Sequence, residues 1–315
     1  MDRQEPPSPA LSNVASTATG HARSRVGLLG NPGDLYGGKV LAATIDAFDT
    51  VATVTPTVFF APAAFQPDVA DLQRLVVERV CPDKGAIALG LETNVPLRSG
   101  LSGSSAILLA TLRALDQHLG LGLEPLEMAQ IVWDIERHDL DIIAGPQDRV
   151  IQALDGLCFM DFSGEAPLGT HERLDAAVLP PLLVAWPDEP GEDSGDIHRV
   201  VWNRWNSGDT ELRRRIDGFA TIAEEGRAAL LAGDHNGFCD AIDANFDLRH
   251  SVFELTAEHT RLVTQARSAG AAAKFCGSGG AIVAVARSQT NLDPVVDALE
   301  AAGSVCRRVG VAVPS

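Results

Sequence analysis

Apolar positions along the chain follow two rhythms. Arg25–Leu29 is a short β-like run that ends in Gly30-Asn31-Pro32-Gly33, a turn signal. Val51–Phe60, rich in Val, Thr and Phe, predicts a strand. Leu72, Leu75, Val76 and Val80 give Asp68–Val80 a helical spacing. Ala86–Glu92 predicts another strand, which runs into a loop over 93–103 and then the strongly apolar helix Ser104–His118. Glu124–His138 predicts a helix with Pro125 near its start, and Gly145-Pro146 opens a further one that Gly156 stops. Strands follow at Leu157–Phe162 and Leu182–Trp186, then the acidic loop Pro187–Asp196. From there to Gly270 the pattern is almost wholly helical, punctuated by Gly233 and Gly237, before β runs at Ala281–Ala286 and Val305–Val313.

Strands and helices mix without regular βαβ alternation, which argues for an α+β fold rather than a doubly wound sheet. Composition shifts near residue 180, where a domain boundary is expected, and no internal repeat is visible. With 45% hydrophobic and 21% charged residues over 315 positions, the chain can bury a real core in one large or two ordinary domains. Residues 1–22 lack the apolar run of a signal peptide and are expected to form a disordered tail. No uninterrupted apolar stretch reaches the ~18 residues that would span a membrane. Five cysteines, odd in number and without CxxC spacing, favour a reducing compartment over a disulfide framework or zinc site, so a cytoplasmic location is expected. Net charge is −17, from 25 Lys+Arg against 42 Asp+Glu, which repels a nucleic-acid backbone but leaves a single nucleotide possible.

The richest candidate for chemistry is Gly100-Leu101-Ser102-Gly103-Ser104-Ser105-Ala106. Glycines let the backbone approach phosphate oxygens, and a helix opening there aims free N–H groups at an anion. A serine hydroxyl could cap the helix, bind Mg²⁺ or meet a phosphate oxygen; an ordinary flexible turn is the competing reading. Gly33 to Lys39 satisfies the GxxxxGK part of a phosphate loop, but Val40 stands where the Mg²⁺-binding hydroxyl belongs. That segment reads as a turn facing a substrate, or as a plain connection. Glu136 shares a helix face with Ala129, Val132 and Trp133, so it needs a cation such as Mg²⁺, hydrogen bonds, or an edge position reaching solvent. Asp148 lies in the first turn after Gly145-Pro146, where the helix dipole keeps it ionised to cap the helix or to accept a proton. Gly277, Ser278, Gly279 and Gly280 suggest a close backbone approach to a ligand or facing loop, or a tight turn. His198 and His250 lack metal-ligand company, and no nucleophile–His–acid triad is readable.

Taken together, these clusters resemble the GHMP small-molecule kinases, the galactokinase, homoserine kinase and mevalonate kinase type. The similar stretches are Arg25 to Lys39, Thr93 to Ala106, Ala144 to Arg149, Gly156 to Phe162, Asp193 to Gly195 with His198, Asn245 to Arg249, and Lys274 to Gly280. Within the family they are most similar to the glucuronokinases. The resemblance implies two lobes, residues 23–180 like the second domain of a ribosomal small-subunit protein and residues 181–315 ferredoxin-like. It implies ATP and Mg²⁺ as cofactors. Gly100, Leu101, Ser102, Gly103, Ser104 and Ser105 would be the triphosphate loop, Ser105 and Glu136 the Mg²⁺ ligands, and Asp148 the catalytic aspartate. Asp34, Tyr36, Lys39, Asn245 and Arg249 would fall among sugar contacts, and Gly277 to Gly280 would be the family's third motif. Glucuronokinases carry an arginine directly after the proline that precedes the serine loop, whereas here Leu97 follows Pro96 and the arginine is Arg98. The implied activity is phosphorylation of D-glucuronate at its anomeric hydroxyl by a monomer or homodimer. Another sugar, sugar phosphate or cyclitol, and a non-catalytic ligand-binding role, are the alternatives, with the acidic loop 187–196 a candidate lid.

Overall fold

The computed structural model describes residues 17–57, 67–82, 87–96, 98–188, 195–287 and 291–313. β1 (Ala18–Leu29) begins inside the span expected to be tail, because Ala18, Gly20 and Ala22 alternate inward against the first core. β2 (Lys39–Pro56) pairs antiparallel with β1 on one side. Its other side takes β4 (Leu157–Asp161) along its first residues and β3 (Ile87–Thr93) along its last. β5 (Thr170–Leu174) closes the sheet on β4. Four helices cover one face: α1 (Pro67–Val80), α2 (Gly103–Leu119), α3 (Pro125–Asp134) and α4 (Gln147–Leu154). α2 is apolar nearly all round, as a helix sandwiched between a sheet and other helices must be. It presses so close to β1 that a Cβ on Gly20 would lie 2.1 Å from the Ala110 carbonyl.

The second sheet has the order β7 (Ala271–Phe275), β8 (Ile282–Ala286), β6 (Leu182–Pro187), β9 (Ser304–Val309), antiparallel throughout. Between β6 and β7 run α5 (Gly195–Asn206), α6 (Thr210–Leu231), α7 (His235–Val252) and α8 (Ala257–Ser268); α9 (Asp293–Ala301) joins β8 to β9. One helical crossover on each side of a β-hairpin gives the ferredoxin-like β-α-β-β-α-β plan, elaborated by extra helices. The two sheets make an α+β molecule in which every strand of the first precedes every strand of the second.

Two strands leave no trace in the hydrophobic pattern. β5 is mostly exposed and so carries no apolar alternation, and β7 reads Ala-Ala-Ala-Lys-Phe, a composition that prefers helix until burial on both faces overrides it. Gly237 lies inside α7, not between helices, because the Asp234 carboxylate accepts its N–H and caps that helix. Residues 58–60 of the expected strand and 189–194 of the acidic loop lie outside the described residues.

The lobes are not separated by a wet cleft along their whole length. Val26, Leu28, Leu41 and Ile45 share one apolar cluster with Phe238, Ile242, Val283 and Val285. The main chain bridges the same seam where Gly27 N donates to Cys276 O at 2.8 Å and Ala312 N donates to Thr44 O at 2.9 Å. Beside this seam the glycine-rich connection after β7 faces the one between β3 and α2, one from each lobe.

Candidate active site

Those two connections meet backbone to backbone. Ala281 N donates to Ser99 O at 2.6 Å. A Cβ on Gly100, whose φ is 75°, would lie 2.0 Å from Gly279 O, and one on Gly277 would lie 2.4 Å from Gly100 O. Only glycine fits that approach, so the Gly277–Gly280 loop braces the serine-rich loop from behind. Ser102, in a left-handed conformation, precedes the first turn of α2 but makes no side-chain cap. Its hydroxyl donates instead to Asp148 Oδ2 at 2.7 Å. The first N–H groups of α2 thus have no side-chain acceptor at their cap, which leaves a positive helix end open to an anion.

Asp148 is set in the first turn of α4 and gripped from β1. Arg25 Nε donates to Oδ1 at 2.5 Å and Nη2 to Oδ2 at 2.7 Å, a bidentate fork. The remaining Nη1 donates to Gly100 O at 2.9 Å, so one guanidinium fixes the aspartate relative to the glycine loop. Burial alone would raise the Asp148 pKa. The Arg25 charge and hydrogen bonds, helped by Arg149 and Ser102, outweigh it and hold the carboxyl at about 2. The group is ionised at any physiological pH.

Glu136 is fully buried and lies in a π turn, Ile135–Asp139, that ends α3. The sequence pattern predicts an unbroken α-helix to His138; the helix instead widens here, and Glu136 is buried rather than at a solvent edge. Its Oε1 accepts Ser105 Oγ at 2.8 Å and Ser104 Oγ at 3.3 Å, and its Oε2 is paired with the Arg149 guanidinium. Arg149 Nη1 also donates to Gly145 O at 3.0 Å. Breaking such a buried pair by removing one member costs about 3–5 kcal/mol. Ser105 Oγ and Glu136 Oε1 are hard oxygen donors on one spot. That suits Mg²⁺, which takes one or two protein oxygens and completes its shell with phosphate and water. No group of three His, Cys, Asp or Glu side chains placed to hold a metal occurs among the described residues, so a cation here would draw on hydroxyls, nucleotide and water for the rest.

The turn Gly33–Tyr36 is a single 3₁₀ turn, and Lys39 then begins β2. It opens no helix, so it lacks the dipole of a phosphate loop. Asp34 Oδ2 accepts the N–H of Gln147 at 3.2 Å, which brings this turn against α4 and Asp148. Burial, then the charge of Asp148, push Asp34 up to about 7. Tyr36 packs on Trp205 and Trp202 of α5, with ring centroids 4.7 and 5.9 Å away.

Of the residues expected at the site, the structure brings together the Gly100–Ser105 loop, Glu136, Asp148, Asp34 and the Gly277–Gly280 loop. Lys39, Asn245 and Arg249 are engaged by protein groups, and Arg98 faces solvent. Lys39 pairs with Glu224 and with Asp161, and no described bond joins it to Asp148. Asn245 clamps the turn itself, its Oδ1 accepting Gly30 N at 2.6 Å and its Nδ2 donating to Asn31 O at 3.1 Å. Arg249 donates to the carbonyls of Gly277 at 2.7 Å and Ser278 at 2.6 Å. Arg98 is exposed with φ 52°, and Leu97 lies outside the described residues.

Sequence reasoning assigns no role to Arg25, Arg149 or Lys274. Lys274, 1% exposed, donates to Gly27 O, Asn31 Oδ1 and Phe275 O, tying β7 to β1 and to the turn. A cation inside an otherwise apolar strand run is the available signal in all but Arg149.

Comparison with known proteins fits this arrangement. Residues 70–156 match the family model described as GHMP kinases N terminal domain, and residues 227–305 match GHMP kinases C terminal. The chain is 35% identical to probable glucuronokinase 2 of Arabidopsis thaliana, over 88% of this chain and 87% of that protein. It is 34% identical to glucuronokinase 1 of the same plant, over 89% and 88%. In fold it is similar to Lactococcus lactis galactokinase complexed with galactose, with TM-score 0.77 and 16% identity covering 96% of this chain and 95% of that one. It is also similar to L. major mevalonate kinase in complex with R-mevalonate, with TM-score 0.74 and 21% identity covering 95% and 97%.

Proposed function

Because the chain belongs to the GHMP kinase family, we propose that it transfers the γ-phosphoryl group of ATP to the anomeric hydroxyl of a sugar, D-glucuronate being the leading acceptor. The observation that carries this reading is the fork of Arg25 on Asp148, which sets an ionised carboxylate beside Ser102 at the open N-terminus of α2. The names of the Arabidopsis relatives support the choice of sugar.

In this reading the backbone of residues 100–105 and the end of α2 cradle the triphosphate. Ser105 and Glu136 would hold Mg²⁺, which when bound neutralises charge on the β- and γ-phosphates. Asp148 accepts a hydrogen bond from the sugar hydroxyl and aims its oxygen at the γ-phosphorus. As the new P–O bond forms and the bond to the ADP oxygen breaks, the hydroxyl proton passes to Asp148 and on to solvent. A carboxylate held at about 2 is a weak base, so its main service is orientation, with the proton moving late. That suits phosphoryl transfer, whose loose transition state asks more of positioning than of deprotonation. Asp34 and Tyr36 would contact the sugar, while Asn245 clamps Gly30 and Asn31 at the start of the turn that presents them.

The test is ADP release measured with D-glucuronate, D-galactose, mevalonate and a heptose phosphate in turn. ADP formation stimulated most by D-glucuronate is expected. Asp148→Asn should lower kcat by about 10²–10⁴ while ATP still binds. Near-normal turnover in that variant would remove Asp148 from the mechanism.

A further inference from the structure

Among the described residues four basic side chains are buried near the seam between the lobes, and three have evident compensation. Arg25 is forked on Asp148, Arg149 is paired with Glu136, and Lys274 spends its donors on three oxygens. Arg249 differs. It is 3% exposed, its two Nη atoms reach the carbonyls of Gly277 and Ser278 and the neutral ring of His198, and its Nε has no partner. No carboxylate bonds to it among the described residues. Phe253 and Phe275 flank the guanidinium, each ring centroid 5.2 Å away, and supply no counter-charge. A buried cation with an idle donor is unfavourable unless something anionic completes it.

A second idle donor belongs to the same corner. The Tyr36 hydroxyl is buried without a partner. α5 ties the two together: His198 lies 3.4 Å from Arg249 Nη2, and Trp202, one turn further on, packs against Tyr36. Burial, then Arg249, depress His198 to about 3, so the imidazole is neutral and brings no compensating charge. Burial, then Asp34, raise the Tyr36 pKa, so its hydroxyl keeps its proton and stays a donor. Tyr36 also shares its turn with Asp34, which abuts Asp148 through α4.

We infer that Arg249 and Tyr36 form an acid-reading corner of the acceptor site, selecting acceptors that carry a carboxylate over neutral sugars of the same shape. This rests on the reading of the seam as a kinase acceptor site. A carboxylate gives acceptors to both idle donors. A neutral sugar leaves the guanidinium Nε and the phenol unpaired, and discrimination between substrates is strongest where a site's buried polar groups are left so. Arg98, exposed and without a hydrogen bond or ion pair among the described residues, offers no such site.

The experiment is equilibrium binding of D-glucuronate and of its neutral amide, D-glucuronamide, to the full chain by calorimetry. Binding needs no turnover, so a chain that binds the acid yet releases no ADP would sink the proposed activity and spare this inference. The unaltered chain is expected to favour the acid by about tenfold or more. Tyr36→Phe, which keeps the ring on Trp205, should cut that ratio several-fold, and Arg249→Met should bring it near one. A residue that merely pins the Gly277 loop would weaken both ligands equally. Undetectable binding of the acid, equal binding of acid and amide, or an unchanged ratio in Tyr36→Phe, which does not depend on Arg249→Met folding, overturns the assignment.

Discussion

Two glycine-rich segments, Gly33–Lys39 and Gly100–Ala106, compete in the sequence for the role of phosphate loop, and the structure separates them by the element each leads into. The first turns once and becomes a strand, and the N–H groups of Gly33, Gly37 and Gly38 are spent on the carbonyls of Gly30, Asp34 and Gly33. The second opens a 17-residue helix whose cap serine has turned away to Asp148. Glycine content is shared; a helix dipole with an uncapped end is not. Anion binding belongs to the geometry that concentrates N–H groups, while composition alone supplies only the permission for it.

Their glycines also differ in how tightly they are held, and that contrast can be broken by substitution. Gly100 and Gly37 both have positive φ, but a Cβ on Gly100 would meet a backbone oxygen at 2.0 Å, whereas on Gly37 the nearest atom is 3.4 Å away. Gly100→Ala is expected to destabilise the fold by roughly 3 kcal/mol or more, and Gly37→Ala by only about 1 kcal/mol, read from denaturant midpoints. Equal losses would mean that the bracing between the Gly100 and Gly277 loops is slack.

Next in size is a pH effect confined to the turn. Asp34 has its folded pKa raised to about 7 by burial and by Asp148, so between the ordinary carboxyl range and pH 7 the folded chain holds a proton that the unfolded chain has lost. Stability should therefore fall as pH rises from about 4 to 7. Asp148 acts with the opposite sign, its depressed pKa giving stability that is lost as pH falls from about 4 toward 2. Asp34→Asn should flatten the first slope and leave the second, as followed by thermal unfolding across pH. A slope that persists unchanged in Asp34→Asn would contradict the burial of that charge.

Much of the fold and site is legible in the sequence, and the exceptions have physical causes. α1 and α2 follow apolar spacing, and the serine loop stands out by its glycines. β5 stays hidden because it buries little, and β7 because an alanine run has no strand preference until it is paired with β8 and buried on both faces. The π turn at Glu136 leaves no mark in a periodicity that assumes regular helix. Lys39 and Asn245 lie close in sequence to Asp34 and Arg249, yet Lys39 pairs with Glu224 and Asp161 while Asn245 clamps Gly30 and Asn31. Proximity in a motif does not say which way a side chain faces.

The division of labour between the two segments, the serine loop for ATP and the Gly33 turn for the acceptor, is tested most directly by initial-rate kinetics of Ser105→Ala and Asp34→Asn against both substrates. Ser105→Ala is expected to raise KM for ATP about tenfold with KM for the sugar nearly unchanged, and Asp34→Asn to do the reverse. Raised KM for ATP in Asp34→Asn together with an unaffected nucleotide KM in Ser105→Ala would contradict it.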